Sequence, residues 1–466
     1  MKNSNTVIPT RTTAEWQALD NASFLHPFTK HSDIREEGGR IIERAEDVYI
    51  YTNDGDKILD SMSGLWCCNL GFSTPEIADA VHQQLTHLPF YNNFFQCAHT
   101  AAIEAASRLV DVAPDHINNV FFAGSGSEAN DTNIRLVRRY WDSQGKTDKR
   151  YIIARENAYH GSSIASASLG GMSFMHDQFH TLPNVAHVLQ PYQFGEGQLG
   201  ESEEDFGRRA AQSVEDKIIE LGADNVAAMI GEPIMGAGGV RIPPSNYWKL
   251  VEAICNKHDV LLIADEVITG FGRTGKMFAS DYFDIKPDLI TFAKAATNGY
   301  QQLGGVLVSE KVSKVLMADE AEFAHGYTFN GHPAACAAAI KTLDIFERDN
   351  ILQRVRDDIG PYFAERFATL GDHPLIGEVR TIGMLGAIEV VKDKQTNERF
   401  HKDVNAGSIV KESVTRNGLI MRAVGDTLIS APQLTINKQQ VDELVDKALK
   451  GLDETAEILS KNHSGE

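Results

Sequence analysis

Apolar residues gather along the chain into short runs bounded by turn residues, and between about residues 100 and 310 these runs alternate with helix-like segments. Uninterrupted runs of this kind suit strands buried on both faces, so the pattern predicts an α/β unit with a parallel sheet covered by helices. The predicted strands are Asn119–Ala123, Tyr151–Ala154, Val226–Gly231, Leu261–Ala264, Leu289–Phe292 and Gly305–Val308. Between the first two, Glu128–Ser143 reads as an amphipathic helix: Ile134, Val137 and Trp141 fall on one face while Arg135, Arg138 and Arg139 mostly point elsewhere. The Gly- and acid-rich stretch Phe194–Asp205 reads as an exposed loop leading into a helix. Beyond residue 340, amphipathic helices mix with strand-like Met384–Val391 and Gly418–Met421, an α+β pattern. The division that follows is a large domain over residues 71–335 and a small α+β domain built from both termini, residues 1–70 and 336–466.

A chain of 466 residues with 42% hydrophobic content can bury two cores. Its formal charge of −20 and isoelectric point near 5.2 argue against a nucleic-acid or anionic-membrane partner, which most of the surface would repel; the same charge serves solubility. The start from Met1 to Thr13 is polar and contains Pro9, and no run approaches the roughly 18 apolar residues of a membrane span, so the expected location is cytoplasmic. Cys67, Cys68, Cys97, Cys255 and Cys336 are odd in number and have neither disulfide-framework nor zinc spacing. They read as reduced, mostly buried thiols, with Cys67 and Cys68 not bridged to each other.

Open parallel sheets bind ligands beyond the carboxyl ends of their strands, so the residues that follow each apolar run carry the argument. The first run ends in Gly124-Ser125-Gly126-Ser127-Glu128, where Ser125-x-x-Glu128 is a capping-box pattern. Free N–H groups and the positive dipole end at such a helix start suit a phosphate on Ser125, Gly126 and Ser127; an ordinary helix cap reads the same way. The second run leads into Tyr159 and His160, placing a ring that could stack on a flat cofactor, and an imidazole, at the sheet mouth. The fourth is followed by Asp265-Glu266, and a carboxylate ending a buried strand calls for a cation such as a protonated pyridine nitrogen. The fifth ends at Lys294 among small apolar residues. A desolvated lysine loses basicity and forms imines, although many lysines in such places snorkel to solvent. A phosphate cup, a stacking ring, a pyridinium partner and an amine, met in order at successive strand ends, together predict a pyridoxal-phosphate site.

Two other chemistries fit poorly. Gly270-Phe271-Gly272-Arg273-Thr274-Gly275-Lys276 matches G-x-x-x-x-G-K, but Met277 follows where a hydroxyl should hold magnesium, and no clear helix is predicted after it. Histidines such as His325 and His332 lack i, i+4 pairing with carboxylates, so no metal site is predicted.

At these residues the sequence resembles the class III aminotransferases of the fold type I pyridoxal-phosphate group. The resemblance runs from Trp16 to about Leu449 through Ser63-Gly64-Leu65-Trp66, Gly124–Asp131, Tyr159-His160-Gly161, Glu232-Pro233, Asp265–Gly275, Lys294, His325-Gly326-Tyr327-Thr328 and Gly331-His332-Pro333. Within the class it is most similar to the amine–pyruvate branch and its bacterial putrescine or polyamine enzymes, through Ile58–Cys67, His373–Lys392 and Gly418–Pro432. The resemblance implies a mostly parallel seven-stranded sheet. It makes Lys294 the Schiff-base lysine, Asp265 the partner of the pyridine nitrogen, and Gly126 and Ser127 the phosphate ligands. Tyr159 and Val267 would sandwich the ring, and Glu232 would support the site. Thr328 would reach the phosphate in the other subunit of a homodimer with shared sites, as a dimer or as a tetramer of two such dimers. Arg422 would be the mobile arginine that takes the carboxylate of pyruvate. Ile268 departs from the glutamine that many class members carry there, which bears on tuning more than on reaction type.

The expected reaction has a primary amine displace Lys294, which then serves as base for a 1,3-proton shift; an aldehyde or ketone leaves, and pyruvate reverses the steps to give L-alanine. Phe28, Trp66, Phe94, Phe95 and Tyr159 would wall the substrate pocket, or could be plain core. The rivals are a β-alanine or taurine transaminase, a decarboxylase or aminomutase using the same lysine, and a vestigial cofactor-binding dimer.

Overall fold

The computed structural model describes residues 8–463, so the first seven residues of the polar start lie outside the described residues. Its large sheet contains, in chain order, β1 (Ile117–Ala123), β2 (Tyr151–Arg155), β3 (Val185–Val188), β4 (Val226–Gly231), β5 (Leu261–Asp265), β6 (Leu289–Phe292) and β7 (Gly304–Ser309). The spatial order is β1-β7-β6-β5-β4-β2-β3. Neighbours from β6 to β3 pair in parallel, whereas β7 runs antiparallel to both β1 and β6. The sheet is thus mostly parallel, as expected. The pattern reading missed β3, a Val-Ala-His-Val edge strand that is only half-buried and owes its extended form to pairing with β2.

Helices cover the sheet because successive strand residues point to opposite faces and both faces are apolar. Ala154, Ile230 and Ile263 pack with Ile134, Val137 and Trp141 of the Gly126–Ser143 helix. Their neighbours Ile153, Met229 and Leu262 pack on the other face against Phe206, Val214, Trp248 and Val251, from the helices Glu203–Leu221 and Tyr247–Lys257. Every residue of β4 and β5 is buried. The polar residues at their tips therefore stand on a rigid, desolvated platform.

The termini meet in a second sheet, where Leu419–Ile420 pairs in parallel with Lys57–Asp60 beside Tyr49–Thr52 and Ile42–Glu46. A third joins Ile376–Ile382, Leu385–Val390, Thr427–Ser430 and Arg422–Val424 in antiparallel fashion. The helix Pro333–Arg348 runs through residue 336 without a break, so no linker marks that position.

The G-x-x-x-x-G-K segment serves as a clasp. Arg273 is fully buried and donates to Asn69 Oδ1 at 2.6 Å and to the Pro432 carbonyl at 2.5 Å, tying N-terminal and C-terminal segments to the loop after β5. Glu266 beneath it accepts from Ser280 N and Oγ, Ala279 N and Thr269 Oγ1, all within 2.7 Å. All five cysteines are free, but only Cys255 and Cys336 are buried; Cys67 and Cys68 are half-buried and Cys97 is exposed, so the expectation of mostly buried thiols is corrected. Among the described residues no helix is long and apolar enough to cross a membrane.

Candidate active site

The tips of β1, β2, β4, β5 and β6 open on one cavity of about 690 Å³. At the first tip, Ser125 caps the Gly126–Ser143 helix by accepting the Glu128 N–H. The reciprocal half of the capping box shifts by one residue: the Glu128 carboxylate accepts from Gly124 N–H at 2.7 Å rather than from Ser125. Gly126 packs closely on Val267, whose Cγ2 would stand 3.0 Å from a Cβ and would have to give way slightly. Ser127 Oγ accepts the Ser162 N–H at 3.0 Å, which joins the helix start to the loop after β2.

That loop brings Tyr159 and His160 to the cavity. The Tyr159 N–H donates to Glu232 Oε1 at 3.1 Å, and Glu232 Oε2 accepts from Gly236 N–H at 2.8 Å. Burial pushes the Glu232 carboxyl up, Asp265 adds to this, and His160 and Arg155 pull it back. Asp265, at the end of β5, accepts on Oδ2 from His160 Nδ1 at 2.7 Å and Asn130 Nδ2 at 2.8 Å. Its Oδ1 meets only the Val267 N–H at 3.2 Å. One carboxylate oxygen therefore keeps capacity for a further donor, which fits a protonated pyridine nitrogen.

Lys294 follows β6 with φ +46°, a left-handed conformation rare for a side chain of this size, and it lines the same cavity. Burial lowers its pKa below the ordinary lysine value; Cys67, Asp265 and Glu232 oppose that shift and Arg422 adds to it. A lysine less basic than usual is a competent imine-former. The cradle at Ser125–Ser127, the half-satisfied Asp265 and the desolvated Lys294 together fit a phosphorylated pyridine aldehyde. When bound, that group supplies an electron sink for a carbanion.

The structure brings Ser125, Gly126, Ser127, Tyr159, His160, Glu232, Asp265, Val267 and Lys294 to this one cavity. Trp66 is buried next to it, its ring 6.0 Å from Lys294 Nζ and 5.4 Å from the Arg422 guanidinium carbon. The other expected residues stand apart from the lining of this chain's cavity. Phe28 is 68% exposed and touches only the edge of Tyr159 at 6.5 Å, Phe95 is 89% exposed, and Phe94 is half-buried against it; none lines the cavity. Thr328 is likewise exposed and away from this chain's own cavity.

Sequence reasoning also missed Asn130, four residues after Gly126 and so on the same inward face of its helix, which holds Asp265 and the His160 carbonyl. It missed Cys67 and the Gly299–Leu303 turn in the lining as well; the run of small residues after Lys294 was the available signal.

Residues 34–452 match the family model of class-III aminotransferases. The chain belongs to that family. This class-III aminotransferase is a pyridoxal-phosphate-dependent enzyme. It is 49% identical to a putrescine–pyruvate aminotransferase of Pseudomonas aeruginosa, over 97% of this chain and 99% of that one. It is 39% identical to a rice γ-aminobutyrate transaminase, over 98% of this chain and 90% of that one. Among solved structures, the ω-transaminase of Pseudomonas jessenii in complex with PMP matches with a TM-score of 0.92 at 38% identity, covering 95% and 99% of the two chains. An (S)-enantioselective ω-transaminase from Thermomicrobium roseum matches equally well, at 0.92 and 36% identity over 96% and 100%.

Proposed function

We propose that this aminotransferase moves an amino group from a primary amine, putrescine or a similar alkyl or aryl amine, to pyruvate, giving an aldehyde or ketone and L-alanine. The observation that carries the reading is the convergence of Lys294, Asp265 and the Ser125–Ser127 cradle on one cavity. The 49% identical putrescine–pyruvate relative supplies the substrate class.

In this reading Lys294 Nζ would hold the cofactor and, once free, would take and return the proton at the reacting carbon of the substrate. The Asp265 carboxylate holds the proton on the ring nitrogen, itself fixed by Asn130 and His160. Gly126 and Ser127 bind the phosphate, Tyr159 and Val267 flank the ring, and Trp66 keeps water from the reacting carbon. Arg422, beside Trp66, binds the carboxylate of pyruvate. Thr328, Phe94 and Phe95 complete the site of a second copy in a homodimer, which accords with exposed Phe90, Tyr91, Phe95 and Phe329 on this chain. A cytoplasmic setting accords with five free thiols.

The half-buried Arg422 favours one alternative, a transaminase of β-alanine or taurine, because a guanidinium can also hold a distal acid group. Turnover of putrescine, β-alanine and 1-phenylethylamine with pyruvate separates the two. Conversion of putrescine with alanine formation is expected, and activity on β-alanine alone sinks the amine assignment.

A further inference from the structure

We infer that Arg380 is a positioning residue that fastens the hairpin carrying Arg422 to the loop carrying Glu232, and so sets the affinity for the amino acceptor. The inference rests on the reading of Arg422 as the pyruvate carboxylate site.

Arg380 lies on the strand Ile376–Ile382 with its side chain only 9% exposed. Its Nε donates to the Val240 carbonyl at 2.7 Å and its Nη2 to the Gly239 carbonyl at 2.5 Å. Those carbonyls belong to the segment after β4 in which Glu232 accepts the Gly236 N–H and holds Tyr159 in place. The same guanidinium bridges two carboxylates that face each other across neighbouring strands, Glu378 at 2.5 Å and Glu389 at 2.6 Å. Without it, two negative charges would oppose each other directly in a poorly solvated sheet.

Glu389 passes the connection on. Its carboxylate is buried, accepts from Tyr192 OH at 2.6 Å, and takes the Thr427 hydroxyl at 2.9 Å. Thr427 opens the strand Thr427–Ser430 and pairs with Val424, while two residues earlier Arg422 pairs with Ile429. Hydrogen bonds thus run from Tyr159 at the cavity through Glu232 to Gly236, whose carbonyl accepts the Gly239 and Val240 N–H groups, and from the carbonyls of those two residues through Arg380, Glu389 and Thr427 to the strand pair that presents Arg422. Arg380 is where this path crosses from the large-sheet loop to the C-terminal sheet. Pairing with Leu385–Val390 holds the hairpin within its sheet, and Arg380 fastens that sheet to the loop after β4, so where Arg422 sits relative to the cavity depends on this attachment.

The test compares holoenzyme variants Arg380→Met and the milder Thr427→Val with wild type and Arg422→Ala. Both latch variants should raise the KM for pyruvate by about two- to thirty-fold, the range of couplings carried through such networks, and by clearly more than they raise the KM for the amine. Backbone amides of residues 422–430 should exchange with deuterium several-fold faster. Equal shifts in the two KM values, or hairpin exchange within two-fold of wild type in both variants, overturns the inference. If Arg422→Ala leaves the pyruvate KM unchanged, the carboxylate-site reading fails instead, and the exchange rates still decide whether Arg380 holds the hairpin. Should Arg380→Met not fold, Thr427→Val, which removes only one hydroxyl, decides the question by the same two measurements.

Discussion

Replacing Gly161 by alanine tests the cofactor cradle while leaving the side chains of Ser125, Ser127, Asp265 and Lys294 in place. Gly161 has φ +133°, and a Cβ there would lie 2.4 Å from Ser166 Oγ, 2.6 Å from Ser127 Oγ and 2.8 Å from Ser127 Cα. Holding alanine in that conformation costs about 1–3 kcal/mol, and relieving the overlap about as much again. The Ser166 hydroxyl must turn aside, and Ser127, whose hydroxyl and backbone are both in the way and whose Oγ already anchors Ser162, must shift as well. If Ser127 binds the phosphate, losing that one bond to a charged group costs about 1.5–3 kcal/mol, or about ten- to 150-fold in cofactor affinity. Absorbance titration of cofactor-free protein with pyridoxal phosphate measures the loss, and thermal denaturation measures the strain. Gly145→Ala is the control, because Gly145 also has positive φ, at +73°, but a Cβ there meets nothing within 4 Å; it should cost some stability and leave cofactor affinity alone. Cofactor affinity in Gly161→Ala within two-fold of wild type would falsify the placement of the phosphate at Ser127.

Three further outcomes are expected. Lys294→Ala abolishes turnover while circular dichroism shows the fold intact, and retained transamination refutes the role of this lysine. Because burial lowers the Lys294 pKa, the unfolded chain binds more protons than the folded one between that lowered value and the ordinary 10.5; the contribution of Lys294 to stability therefore rises with pH across that window. Melting curves of cofactor-free wild type and Lys294→Met should diverge in favour of wild type as pH climbs toward 10.5, and parallel curves contradict it. Glu266→Gln turns an NH2 group toward one hydroxyl, which can rotate to accept it, and one backbone N–H, which cannot; the stranded N–H destabilises by about 1–3 kcal/mol, and an unchanged denaturation midpoint counts against that arrangement.

The sequence by itself determined the frame of this enzyme and the chemistry at its strand tips. Apolar runs such as Val226–Gly231 and Leu261–Ala264, short and bounded by turn residues, suit strands covered on both faces, and a strand that ends in Asp265 or leads to Lys294 places that group at the sheet's carboxyl edge. These are local facts, set by periodicity and by the residue that breaks it. Only the tertiary structure decided what meets across long separations: Asn130 and His160 on Asp265, Arg273 on Asn69 and Pro432, and Arg380 on the Gly239 and Val240 carbonyls. It also turned Phe28, Phe95 and Thr328 outward, where apolar or polar character alone gives no direction. The reason is that a side chain's partners depend on how whole elements pack, whereas its place on an element depends on its immediate neighbours.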